Sequence, residues 1–491
     1  MRGAVAAGHP LTAEAGARAL EAGGNAVDAA VAAALVSWVA ESPLTGPGAG
    51  GFMLVHRARD SSTRVFDFFV AVPGLGLETR ELADMDRVDV DFSGGSTQVF
   101  HIGAASCAVP GAALGLETAH KAFGRLPWSD LFHPAIELAQ NGVELNKGQA
   151  YLHAILDLIL RHSPESREVY ERDRERLLAG DTLVQSDLAG TLELLAEKGV
   201  DELYRGDLAP RIAEHVRAHG GCITEQDLNE YRVVRRRPVS TDFFGQEFLS
   251  NPPPSAGGVL IAYGLPLLEE FGVGEPGTAE AIDGLARVMR EQSEARLGRG
   301  GLARALEERA AVVSRGTTHI SVVDGNGNAV ALTASTGSGS GVVVPGTGIH
   351  LNNMIGEFDL AKPPRVGARL SSMMSPSVVL RDGRPRLVVG SAGSLRLRGA
   401  VMQIVVNVVG HGLAVEDAIE RPRVHLEGDV LHCEGGHEEA ELDKLEQMGW
   451  NVTRWRRRNL FFGGAAAVTL ADGELAAAGD PRRGGAGVVV G

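Results

Sequence analysis

The sequence predicts an α/β protein in which two unequal halves build one shared sheet system. Three observations predict it. Apart from two early strands, helical periodicity dominates before residue 317. Strand-like runs dominate after it. No internal repeat or long low-complexity linker separates the two parts, which favours one shared layered core over two separate domains.

Taken in order, Thr12 is the expected N-cap of a first helix, over 12–22, with Glu14 in its first turn and Gly23-Gly24 as its stop. Asn25 caps a second helix, with Asp28 placed as the acidic partner of a capping box. That helix is apolar nearly all round (Ala29 to Val36), the pattern of a buried helix. Strands are expected over 52–56 and 65–72. Helices are expected over 113–123, 128–140, 146–161, 164–178, 187–197, 208–218, 259–271, 278–295 and 302–309. In the fourth of these, Glu171-Arg172-Asp173-Arg174-Glu175 reads as a solvated helix face. Next, Thr317 to Asp324 and Ala329 to Thr333 flank Gly325-Asn326-Gly327-Asn328, a hairpin signal because the turn needs positive φ. Further strands are expected at 342–344, 348–352, 378–380, 387–389, 424–426, 430–433, 452–456, 465–470 and 475–478, with one helix over 397–410.

Composition excludes several function classes. The chain has 491 residues and a net charge of 47 − 62 = −15, which argues against broad nucleic-acid or anionic-membrane binding. Cys107, Cys222 and Cys433 are far apart, without metal-ligand or disulfide spacing, and read as buried small hydrophobes. No His/Cys/Asp/Glu cluster has metal-ligand spacing, and no cofactor is expected. Gly46-Pro47-Gly48-Ala49-Gly50-Gly51 precedes a strand and lacks the GKS/T ending of a phosphate loop. The start of the chain has no secretory pattern, and its most apolar stretch, 26–39, is too short for a membrane span, so a cytoplasmic location is the default expectation. Arg454-Trp455-Arg456-Arg457-Arg458 reads as a solvated strand end, and Asp480-Pro481-Arg482-Arg483 as a structural turn.

Alternation along 317–324 puts Thr317, His319 and Ser321 on one strand face. A threonine hydroxyl needs a base to act as a nucleophile, and a free α-amine on the same residue can serve, with an unperturbed pKa of about 8. That chemistry requires cleavage between Gly316 and Thr317. His319 reads as a structural hydrogen-bonder rather than the base.

The surrounding residues resemble the γ-glutamyltranspeptidase family of N-terminal-nucleophile hydrolases over almost the whole chain. The matching stretches are Gly8-His9-Pro10, Gly23-Gly24-Asn25-Ala26-Val27-Asp28, Gly50-Gly51-Phe52, Val109-Pro110-Gly111, Phe123-Gly124-Arg125-Leu126-Pro127-Trp128 and Pro253-Pro254-Ser255-Ala256-Gly257-Gly258. More specific are Thr317-Thr318-His319 through Asp324, Leu351-Asn352-Asn353, Ser371-Ser372-Met373 and the turn at 390–394. The resemblance implies an αββα sandwich made by autocleavage into segments 1–316 and 317–491, which stay associated as a heterodimer. It implies Thr317 as nucleophile with its own amine as base, and an acyl-enzyme passed from a small-molecule amide donor to water or an amine acceptor. Ser335, with Thr333 as neighbouring candidate, would orient the nucleophile, and the N–H groups of Gly393 and Ser394 would form the oxyanion hole.

Departures fall at the substrate end. Where the family reads Asp-Ala-Arg-Glu-Thr-Ala-Pro, this chain reads Asp67-Phe68-Phe69-Val70-Ala71-Val72-Pro73, so Phe69 replaces the arginine that holds the glutamyl α-carboxylate. Gly337 replaces an asparagine that binds the α-amine, Met354 replaces a polar contact, and Glu357 is the amine's acidic partner lengthened by one methylene. Asn353, Ser371 and Ser372 are retained as substrate contacts. Two substrate readings stay open: γ-glutamyl amides held by a rearranged clamp, with Arg365, Arg369 or Arg396 substituting, or a different amide whose acyl group lacks the α-amine. A third reading, of another class, is an unprocessed, non-catalytic relative that binds a small acidic ligand.

Overall fold

The computed structural model describes residues 2–79, 83–91, 97–296, 317–357, 365–393 and 396–491. The expected helix over 302–309 lies outside them.

Two antiparallel sheets face each other. In chain order their strands are β1 (Gly3–Ala7), β2 (Gly50–Arg57), β3 (Ser62–Phe68), β4 (Val234–Arg236), β5 (Val239–Phe243), β6 (Gln246–Ser250), β7 (Thr318–Asp324), β8 (Ala329–Ser335), β9 (Ser377–Arg381), β10 (Arg384–Ala392), β11 (Gly464–Ala471), β12 (Glu474–Gly479) and β13 (Ala486–Val490). The first sheet runs β4-β3-β2-β8-β7-β1-β13 and the second β5-β6-β9-β10-β11-β12. Strands from before and after residue 317 are therefore interleaved within the first sheet.

Period-two alternation sorts the side chains into layers. Ile320, Val322, Val330 and Leu332 pack outward against helices α1 (Pro10–Glu21), α2 (Ala26–Ala40) and α3 (Ala112–Phe123). From the same strands Val323, Ala329 and Ala331 point inward and meet Val378, Val388, Ala466 and Val468 of the second sheet. The outer face of that sheet (Val379, Leu387, Val389, Ala467) is covered by α4 (Gly257–Phe271), α5 (Ala279–Arg296) and α6 (Arg396–Val405). The result is the four-layer αββα sandwich.

Helix α2 shows why the early sequence is so apolar. All fifteen of its residues are buried, and Asn25 and Asp28 make the expected reciprocal capping box. Asp28 does more than cap. Its carboxylate accepts from the backbone N–H groups of Asn25 (2.8 Å), Arg125 (2.9 Å) and Leu126 (3.2 Å), tying α2 to the end of α3.

Several expectations are corrected. The N-cap of α1 is His9, whose Nδ1 accepts from Leu11 N; Thr12 sits inside the helix and uses its hydroxyl elsewhere. The helix expected over 164–178 stops at Tyr170. Its charged run forms instead a small hairpin, Glu171–Arg172 against Glu175–Arg176, turning through Asp173 and Arg174 at positive φ. Alternating charge suits a solvated ribbon as well as a helix face. Strands β1, β4, β5, β6 and β13 are not apparent in the sequence. They are short, and β1 (Gly-Ala-Val-Ala-Ala) has none of the β-branched density that signals a strand.

Burial alone would raise the pKa of Asp28, but the His120 ring and the three backbone donors outweigh it and hold the carboxyl below its usual range. Its contribution to stability is then present above the unfolded-state pKa and lost as pH falls through the folded one. Asp28→Ala orphans one buried and two part-buried N–H groups and is expected to cost about 3 kcal/mol at neutral pH. Urea unfolding should show the gap to wild type narrowing below about pH 4.

Candidate active site

Thr317 sits at the mouth of β7, wholly buried. The β7–β8 ladder pairs Thr318 with Ala334 and His319 with Thr333. Continued by one step, the same register sets Ser335 opposite Thr317, on the face turned toward the second sheet. The Ser335 hydroxyl accepts from Gly337 N (2.8 Å). The Thr317 hydroxyl has no hydrogen-bond partner among the described residues. A buried hydroxyl left in that state costs about 1–3 kcal/mol, which suits a group kept for a reacting partner.

His319 holds this end of the sandwich together. Its Nδ1 lies 2.8 Å from Thr333 Oγ1 and its Nε2 2.9 Å from Ser321 Oγ. Ser321 in turn donates to Ala466 O of β11 (3.1 Å), so it accepts from the imidazole and Nε2 carries the proton. The ring presses on Gly390 of β10, where any Cβ would strike it. Burial lowers the His319 pKa to about 3. The ring is neutral at physiological pH and bonded at both nitrogens, the structural role expected of it.

Two residues that sequence reasoning missed stand beside Thr317. Glu41, the C-cap of α2, and Arg483, from the turn before β13, line the same small cavity as Thr317, together with Gly8, Leu44, Ala392 and Gly464. Glu41 accepts from Thr318 Oγ1 (2.6 Å) and Thr12 Oγ1 (2.8 Å). Burial raises its pKa, against these bonds and the Arg483 charge. Arg483 Nη1 donates to the Thr317 carbonyl oxygen (3.2 Å). Burial lowers the Arg483 pKa to about 10, with Asp480 and Glu41 opposing the shift. Neither residue had a signal beyond being charged two positions from Pro43 or Pro481.

Gly316 and Ser394, two of the sequence-derived site residues, lie outside the described residues. Gly393 follows the cavity-lining Ala392 at φ +125°, and a Cβ there would come within 3.2 Å of Gly463 Cα, so the position requires glycine.

At the substrate end the structure brings the departures together. Gly50, paired with Ser335, packs against the backbone of Phe69 and Val70. The Phe69 ring is buried and stacked on Phe52 (centroids 5.4 Å apart), in an apolar cluster with Met354, Leu370 and Met374. Gly337 has φ +76°, and Asn353 Oδ1 and Glu357 Oε1 fill the space where its side chain would stand. Asn353 is held by Ser338, accepting from its N (2.9 Å) and donating to its Oγ (2.7 Å). Ser371 donates to Pro254 O (2.8 Å), and the Ser372 hydroxyl accepts from Met374 N (3.0 Å).

Two of the arginines named as substitutes for the missing one are committed elsewhere. Arg369 donates to the carbonyls of Phe69 and Arg232, pairs with Asp67 and lies over the Tyr231 ring. The Arg396 guanidinium lies 4.3 Å over the Phe461 ring. Arg365 is exposed.

The fold is that of the N-terminal-nucleophile hydrolases, and comparison with known proteins narrows the class. The sequence profile described as "Gamma-glutamyltranspeptidase" matches residues 12–301 and 301–490. The chain belongs to that family. It is 33% identical to the glutathione hydrolase proenzyme of Escherichia coli (strain K12), covering 98% of this chain and 90% of that protein. It is also 33% identical to the acylase ACY 1 proenzyme of Pseudomonas sp. (strain SE83), covering 97% and 91%. Among solved structures, cephalosporin acylase from Bacillus halodurans superposes with a TM-score of 0.86 at 24% identity, over 99% of this chain and 95% of that one, a likeness of fold. Helicobacter pylori γ-glutamyltranspeptidase gives 0.51 at 29% identity, over 60% and 82%.

The Arg483 contact is testable. By fixing the Thr317 carbonyl it orients the peptide that carries the hydroxyl. Arg483→Ala is expected to lower kcat about tenfold or more, with KM little changed. Arg483→Lys should recover part of the loss. Steady-state rates on a chromogenic anilide donor, with circular dichroism as the folding control, check it.

Proposed function

We propose that this protein is an autoprocessed amidohydrolase or acyltransferase whose nucleophile is Thr317. Cleavage before Thr317 frees an α-amine, which takes the hydroxyl proton as the oxygen attacks the donor carbonyl. The amine then returns the proton to the departing nitrogen, and water or an acceptor amine resolves the acyl-enzyme. Ser335, opposite Thr317, orients the nucleophile, and the N–H groups of Gly393 and Ser394 receive the oxyanion. The two segments remain associated. The observation that carries this reading is the buried hydroxyl of Thr317, lining a small cavity and without a hydrogen-bond partner among the described residues.

For the donor, the geometry favours an acyl group without an α-amino-acid head, such as a dicarboxylic mono-amide or an acylated amine. The support is the Phe69–Phe52 stack with Met354 and Leu370 where the family places an arginine, together with the engagement of Arg369. Likeness to an acylase proenzyme is in keeping with it. The second reading, a γ-glutamyl donor, is favoured by the retained Ser371 and Ser372, by Glu357 beside Gly337, and by likeness to glutathione hydrolases.

Two measurements decide. Intact mass should find wild type as two polypeptides split before Thr317 and Thr317→Ala as one. A wild-type chain that stays whole and turns over no amide would sink the reading. On a donor panel, glutaryl anilide should exceed γ-glutamyl anilide in kcat/KM by about tenfold or more, a difference of about 1.4 kcal/mol in transition-state binding. The reverse order would restore the γ-glutamyl reading.

A further inference from the structure

At the far end of β7 from Thr317 lies a second concavity. Strand β7 is seven residues long, which puts it roughly 20 Å from the hydroxyl. The Asp324–Asn328 turn forms its floor, and its volume is about 920 Å³. A second hollow of about 440 Å³ adjoins it. The two share Arg57 and Phe123, with the Arg57 guanidinium 4.9 Å over the Phe123 ring.

The charge of this surface is opposite to that of the molecule. The chain carries 62 acidic against 47 basic residues. The two hollows are lined by nine arginines and three aspartates. Two of those aspartates are occupied. Asp324 is buried and takes the N–H groups of Ala26 (3.1 Å), Asn326 (2.9 Å) and Asn328 (3.0 Å). Asp60 pairs with Arg57. Asp382 is exposed on the rim. Arg2 and Arg236 have partners in Glu474 and Asp67. The remaining six, Arg59, Arg64, Arg125, Arg235, Arg237 and Arg384, form no ion pair among the described residues. Six exposed guanidiniums outside any ion pair make a local positive patch on a protein of net negative charge, a surface that attracts anions.

We propose that this double hollow is a binding site for a compact multivalent oxyanion of the di- or triphosphate class. Guanidinium forks pair bidentately with phosphate oxygens, and arginines spread over both hollows suit several linked phosphate groups better than a single one. The larger hollow is within the size range of small-molecule sites. Arg59, Arg125 and Arg384 arise from three separate segments around the larger hollow, so one ligand would bridge the start of β3, the end of α3 and the β9–β10 turn. The site is separate from the Thr317 cavity, and its occupation is independent of the donor the enzyme accepts.

The test is isothermal titration of the full-length protein with inorganic triphosphate at low ionic strength. Saturable binding is expected, tighter than that of orthophosphate and weakened by added salt. The triple variant R59A/R125A/R384A should bind at least about tenfold more weakly, equivalent to about 1.4 kcal/mol. Its processing and amide turnover should match wild type, which shows that it is folded. No saturable heat with triphosphate, or equal binding by the variant, would overturn the proposal. So would binding of heparin alone, since that would assign the surface to a macromolecular polyanion.

Discussion

Everything at the candidate site depends on the pairing of β7 with β8 in the middle of the first sheet. Both strands are buried along their whole length, flanked by β1 and β2 and covered on both faces. A slip of one residue would turn Thr318, Ile320 and Val322 toward the second sheet and Thr317, His319 and Ser321 toward the helices. The structure is built against that slip from both sides. His319 finds Thr333 in register and Gly390 across the gap, while Thr318 finds Glu41 at the end of α2. Two adjacent residues thus anchor opposite faces of one strand, and the Thr317 hydroxyl is left without a hydrogen-bond partner among the described residues.

The turn Asp480-Pro481-Arg482-Arg483 gives the site a second foundation. Arg482 pairs with Asp480 (3.1 Å) and with Glu434, and Arg423 pairs with Asp480 (2.7 Å). Burial alone would raise the Asp480 pKa, but the two guanidiniums together with the backbone N–H groups of Arg482 and Ala465 outweigh it and hold the carboxyl below its usual range. Such a buried network is weak evidence of net stability, yet breaking it by removing one partner leaves an uncompensated charge. Here it fixes the backbone from which Arg483 reaches the Thr317 carbonyl. A turn that reads as packing for the last strand is structural, and it also touches the residue proposed to react.

The sequence made the layered fold legible where elements are long and strongly patterned. Helix α2 could be read from its capping box and apolar run, and the β7–β8 hairpin from its Asn-Gly turn. A short strand such as β1 was invisible, because a Gly-Ala-rich run acquires strand character only from the neighbours it pairs with. The site divided in the same way. Thr317, Ser335 and Gly393 are tied to local motifs and turn geometry. Glu41 and Arg483 come from remote segments, and only the fold brings them to Thr317. Phe69 was legible as a lost arginine, but its stack on Phe52 and the diversion of Arg369 to backbone carbonyls needed coordinates.

The strand order of the first sheet has a further meaning for the history of the molecule. Read across, its strands belong to the earlier segment three times, the later twice, then once to each. A cut before Thr317 would leave two chains that are woven rather than docked. Neither segment owns a complete sheet, so neither has a fold to return to alone. The uncut chain can find this arrangement by intramolecular search, whereas two severed chains would have to meet and interdigitate at the same time. Cleavage would therefore act as a ratchet: the native state would be inherited from the precursor, and once unfolded it would be recovered only at a rate set by concentration.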